Sequence, residues 1–546
     1  MNADLIVKGK IFTADSNIPY AQAFAVKNGK IIFVGKKSEL SAYFGECTEV
    51  IENKDGIIIP GMTDGHAHVT STTDLVFGVN LHDIGTQEQY IKKIAQFYEN
   101  NSDIEILFGQ GYQNGVFDNL GPTAAMLDEI SKDIPIIMLS EDEHTFWVNS
   151  KVMEISGVNE KTPEVEGGVI VRYPGSKKPT GWLKELAGDL IQGIMPHYKK
   201  ENYKKGIIAY QDIALSTGVT NVLEPMIDKR KDYDVRYKAY MELAEEGKLK
   251  VTFTGAYPIE PNDNVDEIFK KAETIKNKIH NEKINITTIK IFIDGVIEAH
   301  TGFLRDEYAD SPGDFGKSLF DIETLKKIVK TAMEEGYVIH THAIGDAALD
   351  YILEAYEYAQ NETGIFDRRN AVTHLQIVQE DQIKLMKKLN VVAVVNPYWH
   401  FKDPLYYEKL EIPFLGKKRA DKQYPVGSFI KNGVVTSQAS DWPVTVPADT
   451  MTSLHLMVNR FEPGSKKIEP LNPDERISVE DAILVLTVNG AYESNLEHRK
   501  GSISVGKDAD FVVLDRDIFA VDSSDIYKTQ ICKTYINGKL VFNRGE

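Results

Sequence analysis

An α/β fold of the parallel (β/α)8 barrel class, with a small β-sandwich formed by both termini and an insertion after barrel strand one, is what this sequence predicts. Three observations carry that expectation. Short apolar runs end again and again in polar, chemistry-bearing residues, and helix-like runs separate them, the alternation that builds a parallel sheet. The two ends of the chain share a texture of short strands and tight turns that the middle lacks. Finally, the chain has 546 residues, whereas such a barrel needs about 250.

Both ends read as strands and turns. Leu5–Phe12 and Ala23–Val34 are strand-like, and Asn28-Gly29 inside the second is a strong hairpin signal. Near the other end, Ala509–Asp515 and Lys533–Phe542 repeat the pattern with a second such turn at Asn537-Gly538. Residues 1–59 and 501–546 are therefore expected to form one composite β-sandwich. The barrel would occupy 60–500.

The barrel opens with Ile57-Ile-Ile-Pro-Gly-Met-Thr-Asp-Gly-His66-Ala-His68-Val. Successive side chains on a strand alternate faces, so the two imidazoles project together and can reach one metal ion while Ala67 turns into packing. Further strand candidates are Gly218–Glu224, Thr288–Gly295, Tyr337–Asp346, Asn370–Gln376 and Val434–Trp442. The last four carry Lys290, His342, His374 and Asp441. After Asp346, an expected N-cap, residues 347–360 place Ile352, Tyr356 and Ala359 on one helical face; after His374, Ile383, Met386 and Leu389 repeat at helical spacing. In a parallel barrel every strand's C-terminal end faces the same mouth, so residues hundreds of positions apart can meet there.

The interval between the first two barrel strands is far longer than an ordinary connection and must fold by itself. Residues 74–197 are read as an insertion covering the mouth. It contains a strand-like run at Ile134–Ser140, then Asp142-Glu-His144-Thr-Phe-Trp147, and closes near Pro179–Glu185. His144 and Trp147 are substrate-facing candidates; the alternative is a folded insertion with a satisfied histidine.

Composition excludes several classes of function. Hydrophobic residues at 42% and charged residues at 26% are the proportions of a globular protein. No apolar run is long enough to cross a bilayer. A net charge of −19 disfavours nucleic acid and anionic surfaces as partners. The N-terminus lacks a secretory pattern, and Cys47 and Cys532 make no disulfide framework, so the expected location is cytoplasmic.

The set Pro60-Gly-Met-Thr-Asp-Gly-His-Ala-His, Lys290-Ile-Phe-Ile-Asp-Gly, His342-Ala-Ile-Gly-Asp-Ala-Ala, Thr373-His-Leu-Gln and Ser440-Asp-Trp-Pro-Val resembles the amidohydrolase superfamily. More narrowly it resembles the amidohydrolase-3 group of YtcJ-like proteins, to which N-substituted formamide deformylases belong. The closing segment Gly501–Asp515 is similar to that group's terminal β segment. The resemblance implies a metal-bearing barrel with a sandwich from both termini, and a homodimer. With strand parity, it implies that His66, His68 and Asp441 hold one divalent ion and that His342 and His374 hold a second, with zinc the expected metal. Lys290 would lie between the two ions. A bare ammonium offers no acceptor, so Lys290 bridges only if its amine is N-carboxylated; otherwise it is a salt-bridged lysine beneath Asp294. His340 shares the parity of His342 one layer deeper and is read as a core histidine, and Asp346 as a cap that also orients His342.

The chemistry implied is hydrolysis of a non-peptide carbon–nitrogen bond of a small molecule, an amide or formamide, with Asp441 as the catalytic proton shuttle. An ester or lactone hydrolase would use the same residues. A mononuclear deaminase would not need Lys290 and would want a glutamate soon after His342, where the chain reads Ala-Ile-Gly-Asp. A non-enzymatic sensor on the same fold is disfavoured by the intact set of ligand types. Several pocket positions depart from the group's usual residues: Thr373 before His374, Asn396 before Pro397, Glu143 before His144, and His300-Thr301-Gly302 after strand four. Asn396, His300, Trp399 and Trp442 are accordingly further substrate-binding candidates. The aromatic residues that follow strands seven and eight would suit an apolar acyl or amine group.

Overall fold

The computed structural model describes residues 2–545 apart from 83, 102, 119, 166, 228–232, 280 and 466–468. Eight strands lie side by side in chain order: Met62–Asp64, Val219–Glu224, Thr252–Pro258, Ile284–Phe292, Val338–Ala343, Ala371–His374, Val392–Val395 and Thr436–Gln438. Every neighbouring pair is parallel. The first and eighth strands are stitched where Gly65 N–H donates to Gln438 O at 2.8 Å and Gln438 Nε2 donates to Thr63 O at 3.0 Å. The sheet thus nearly closes into a barrel. Strands buried on both faces should read as continuous apolar runs, and Val392–Val395 is wholly buried.

Helices cover the outside because each presents one apolar stripe. Asp346–Thr363 buries Ile352, Tyr356 and Ala359 completely and ends at Gly364, whose φ of 68° favours a residue without a Cβ. Glu380–Lys388 buries Ile383 and Met386.

One expectation fails at the start of the first of these helices. Asp346 is its first residue and Gly345 occupies the cap position. Just before the helix, backbone N–H groups are gathered by Asp294, from the end of strand four. It takes Ile344 N–H at 3.0 Å, Gly345 N–H at 2.9 Å and Phe303 N–H at 2.8 Å. Asp346 accepts Ala347 N–H at 3.1 Å within the first turn, and Arg305 N–H and Gln379 Nε2, both at 2.8 Å. No N-cap side chain serves the helix, and the segment entering it is held by a residue fifty positions away, which local capping rules cannot foresee.

Both termini meet in one seven-stranded sheet. At its centre, Glu49–Pro60 pairs parallel with Leu5–Phe12 and antiparallel with Phe511–Leu514. The two Asn-Gly turns close hairpins, with φ of 48° and 75° at Asn28-Gly29 and 51° and 73° at Asn537-Gly538. The central strand runs directly into barrel strand one and so carries His66 and His68 to the mouth. We propose the division of the chain into domains at 1–59 with 501–546 and at 60–500, supported by this pairing.

Between barrel strands one and two a six-stranded sheet forms in the order Gly168–Arg172, Pro179–Glu185, Thr145–Val148, Ile136–Ser140, Leu107–Tyr112, Val79–Asn80. It has apolar clusters of its own on both faces. Among the described residues no helix is long and apolar enough to cross a membrane.

Candidate metal centre

The ends of strands one and eight are locked together, and this lock sets the site. Asp64 accepts Ser440 N–H at 2.9 Å, Ser440 Oγ at 2.5 Å and Tyr210 OH at 3.2 Å. Asp441 N–H donates to His66 O at 2.8 Å and His68 N–H to Trp442 O at 2.6 Å. Gly65 leaves room between them: a Cβ there would lie 2.3 Å from Glu493 Oε2 and 3.0 Å from Gln438 O. In consequence Asp441 Oδ1 sits 3.3 Å from Nε2 of both His66 and His68. Asp441 and His374 hold left-handed backbone conformations, φ 57° and 78°, the kind of sparsely populated geometry that clusters at functional sites.

His374, at the end of strand six, reaches the same point. Its Nδ1 is 3.9 Å from Asp441 Oδ2, and ligand-capable atoms of His66, His374 and Asp441 lie within 4.8 Å of one another, all three residues buried. The rings of His342 and His374 are 4.5 Å apart between centroids. Asn396 Oδ1, 3.1 Å from His374 Nδ1, and the ring of Trp399, stacked on His374 at 5.3 Å and 17°, fix that imidazole. His342 Nε2 lies 3.1 Å from Gly295 O and 3.7 Å from Asp294 Oδ1. Asp294, rather than Asp346, is therefore the carboxylate beside His342.

Burial holds the imidazoles neutral. It drives His66 and His342 well below the ordinary histidine range and His374 down to about 3, and neutral imidazole is the form that ligates metals. Burial alone would raise Asp441, but His66 and His68 outweigh it and keep the carboxyl well below its usual range.

Lys290 is fully buried. Its Nζ has no hydrogen-bond partner among the described residues and lies 4.4 Å from the Phe292 ring centroid. The salt bridge to Asp294 that was the alternative for this lysine is not formed. Burial pushes its pKa down to about 7, against the opposing pull of Asp441.

In register Lys290 pairs with His340, and Phe292 with His342. His340 is buried one layer deeper, as its parity implies. It is more than packing, however, because its Nε2 is 2.7 Å from His66 Nδ1 and its Nδ1 is 3.6 Å from Glu493 Oε1. Glu493 accepts Ser437 Oγ at 2.6 Å, and burial raises it to about 8. A histidine two positions before a candidate ligand, in register with Lys290, was the signal available for this contact. Glu493 gave none.

A cavity of about 1490 Å³ opens above these residues, with His66, His68, His342, His374 and Asp441 in its wall. Of the substrate-binding candidates, His144 and Trp399 line it. Four do not. Trp147 is fully buried inside the insertion, donating Nε1–H to Thr123 O at 2.7 Å and packing on Tyr112 and Phe117. The alternation that turns His144 outward turns Trp147, three residues on, inward. Asn396 is spent on His374. Trp442 donates Nε1–H to Thr72 Oγ1 at 2.9 Å. His300 turns away to Asp310, 3.0 Å distant, between Tyr308 and Phe414. Glu185 and Glu298 line the cavity and were not singled out by sequence.

A nearly closed parallel barrel whose strand ends gather imidazoles and a carboxylate at one mouth defines a class of metal-site enzymes built on this fold. The chain belongs to the amidohydrolase family, whose profile matches residues 49–542. It is 29% identical to Protein LONG AFTER FAR-RED 3 of Arabidopsis thaliana over 99% of this chain and 92% of that one. With the N-substituted formamide deformylase of Arthrobacter pascens it shares 24% identity, covering 99% of this chain and 98% of the relative. A metal-dependent hydrolase from Pyrococcus horikoshii OT3 has the same fold, with a TM-score of 0.74, 24% identity, and coverage of 95% and 99%.

Proposed function

We propose that this chain is a metal-dependent hydrolase that cleaves a carbonyl–nitrogen bond, an amide or formamide, in a small molecule. The observation that carries the reading is the convergence of buried His66, His374 and Asp441 within 4.8 Å beside a buried lysine amine that has no hydrogen-bond partner among the described residues. A cluster of neutral imidazoles around a carboxylate fits a divalent cation, zinc first among them. His66, His68 and Asp441 would hold one ion, and His342 and His374 a second. Lys290 would bridge them once its neutral amine adds to carbon dioxide, releasing one proton and leaving a carbamate with two ligand oxygens. Burial, which favours that neutral amine, supports the step.

When bound, the metal supplies a water acidified from 15.7 to about 7 and a Lewis acid for the substrate carbonyl. Asp441 would accept the water's proton on one carboxylate oxygen and return it to the leaving nitrogen as the carbon–nitrogen bond breaks. Membership of the amidohydrolase family supports a hydrolase. The similarity to a formamide deformylase supports the bond chosen. A single-ion site is the second reading, favoured by the engagement of His342 Nε2 with Gly295 O at 3.1 Å.

The test is a panel of formanilides, N-acyl amines, hydantoin-like rings and lactones offered to purified, metal-analysed protein. Turnover of the carbon–nitrogen substrates is expected. Turnover of lactones alone would transfer the chain to the ester hydrolases, and a fully metallated protein that hydrolyses none of them would end the proposal.

A further inference from the structure

The insertion does more than roof the cavity. From its strand Thr145–Val148 and the turn before it, His144 enters the cavity wall opposite the strand ends, its ring centroid 6.0 Å from that of His342. Glu185 Oε2 holds its Nδ1 at 2.8 Å, and Glu185 N–H donates to His144 O at 2.8 Å. Glu185 is itself anchored to the barrel, because Thr301 Oγ1 donates to its Oε1 at 2.7 Å and the same hydroxyl accepts Val296 N–H at 2.9 Å. Its backbone sits at φ 50°, ψ −130°, a conformation costly for a residue with a Cβ and retained only where the surroundings enforce it. A strained carboxylate thus ties one edge of a histidine to the barrel. His144 lines the cavity, and among the described residues no hydrogen bond engages its other edge, Nε2.

Carboxylates surround that imidazole. Glu185 pairs with its Nδ1 at 2.8 Å, Asp142 Oδ1 accepts its backbone N–H at 3.0 Å, and Glu298 lines the same cavity. With Nδ1–H held in an ion pair by Glu185, a second proton on Nε2 makes that edge a donor. Amide hydrolysis puts negative charge on the carbonyl oxygen when water oxygen bonds to the carbonyl carbon and the C=O π pair moves outward. A donor fixed where that charge develops lowers the barrier, since it needs no reorganisation during the reaction.

We propose that His144 is a catalytic residue of this chain: with Nδ1 fixed on Glu185, it donates a hydrogen bond from Nε2 to the substrate carbonyl oxygen as that oxygen becomes an oxyanion. The proton stays on His144 throughout. Collapse re-forms the C=O bond, breaks the C–N bond and sends its electron pair to nitrogen, which takes its proton from Asp441. Glu185 is a positioning residue, and the insertion completes a site that the barrel alone leaves without this donor. The inference rests on the hydrolytic reading given above.

Zinc-loaded full-length protein tests it in two arms. In the first, His144→Ala should lower kcat on the best panel substrate by about 10²–10³-fold with KM and zinc content held, and His144→Gln, which keeps a side-chain donor, should recover at least about tenfold of the loss. In the second, titration with phenylphosphonate, a tetrahedral anion, should show binding at least about tenfold weaker in His144→Ala than in the unsubstituted chain and partly restored in His144→Gln. Unchanged kcat in His144→Ala overturns the proposal, as does equal phosphonate binding by the three proteins or none by the unsubstituted one. If the unsubstituted chain hydrolyses nothing on the panel, the hydrolytic reading fails, and the phosphonate arm still decides whether His144 serves a tetrahedral anion.

Discussion

Lys290 and Asp441 are close neighbours with different tasks, so their substitutions should fail differently. Lys290→Ala should weaken metal binding, and excess acetate or propionate should partly restore activity by occupying the vacated space. Asp441→Asn keeps nearly the same shape, but its amide cannot take up and return a proton, so kcat should fall at least about 10²-fold with no rescue by added carboxylate. Full metal content and rate in Lys290→Ala would make Lys290 an ordinary buried lysine. A third residue follows from the contact between His340 and His66. His340→Phe leaves His66 Nδ1 without its 2.7 Å partner, and losing such an outer partner costs about 10–100-fold in metal affinity. Chelator competition reads this directly, and unchanged affinity would reduce His340 to packing. At this scale the sequence showed the residues that sit on strand ends, where parity alone aims a side chain. It misplaced Trp147, which strand alternation turns inward, and Asn396, Trp442 and His300, which lie past strand ends where parity no longer sets direction.

The element that most clearly joins structure to pH is the irregular helical segment Pro404–Glu411 at the cavity rim. Its last residue, Glu411, is buried, accepts Gln376 Nε2 at 3.1 Å and Gln423 Nε2 at 2.8 Å, and is pushed up to about 8, chiefly by burial. A carboxyl raised in the folded state contributes stability that is fully present below its unfolded value, near 4.5. That stability is lost as pH rises through about 8. Thermal unfolding should therefore show Tm falling between pH 6 and 9, and Glu411→Gln, which cannot ionise, should flatten that fall. A parallel decline in Glu411→Gln would assign the pH effect elsewhere. Helices such as Asp346–Thr363 were legible because apolar residues recur at helical spacing along one face. The segments entering them were less so, since Asp294 holds the one before that helix from the end of another strand.

For the whole molecule, the repeated strand-and-turn texture at both ends was enough to foresee that the termini meet, as the pairing of Glu49–Pro60 with both Leu5–Phe12 and Phe511–Leu514 bears out. The Asn-Gly turns carry their own geometry and needed no tertiary information. The relay from His66 through His340 to Glu493 was not legible, because Glu493 lies on a short helix, Val488–Glu493, with no pattern linking it to the mouth. All of these elements serve one claim, that the barrel mouth is a metal centre built from strand ends. Elemental analysis of gently purified protein, read together with hydrolysis before and after a strong chelator, tests that claim most directly. One to two equivalents of a divalent metal per chain are expected, lost with activity on chelation and restored with it on adding zinc, whereas metal-free protein that hydrolyses its substrate at an undiminished rate would contradict the claim.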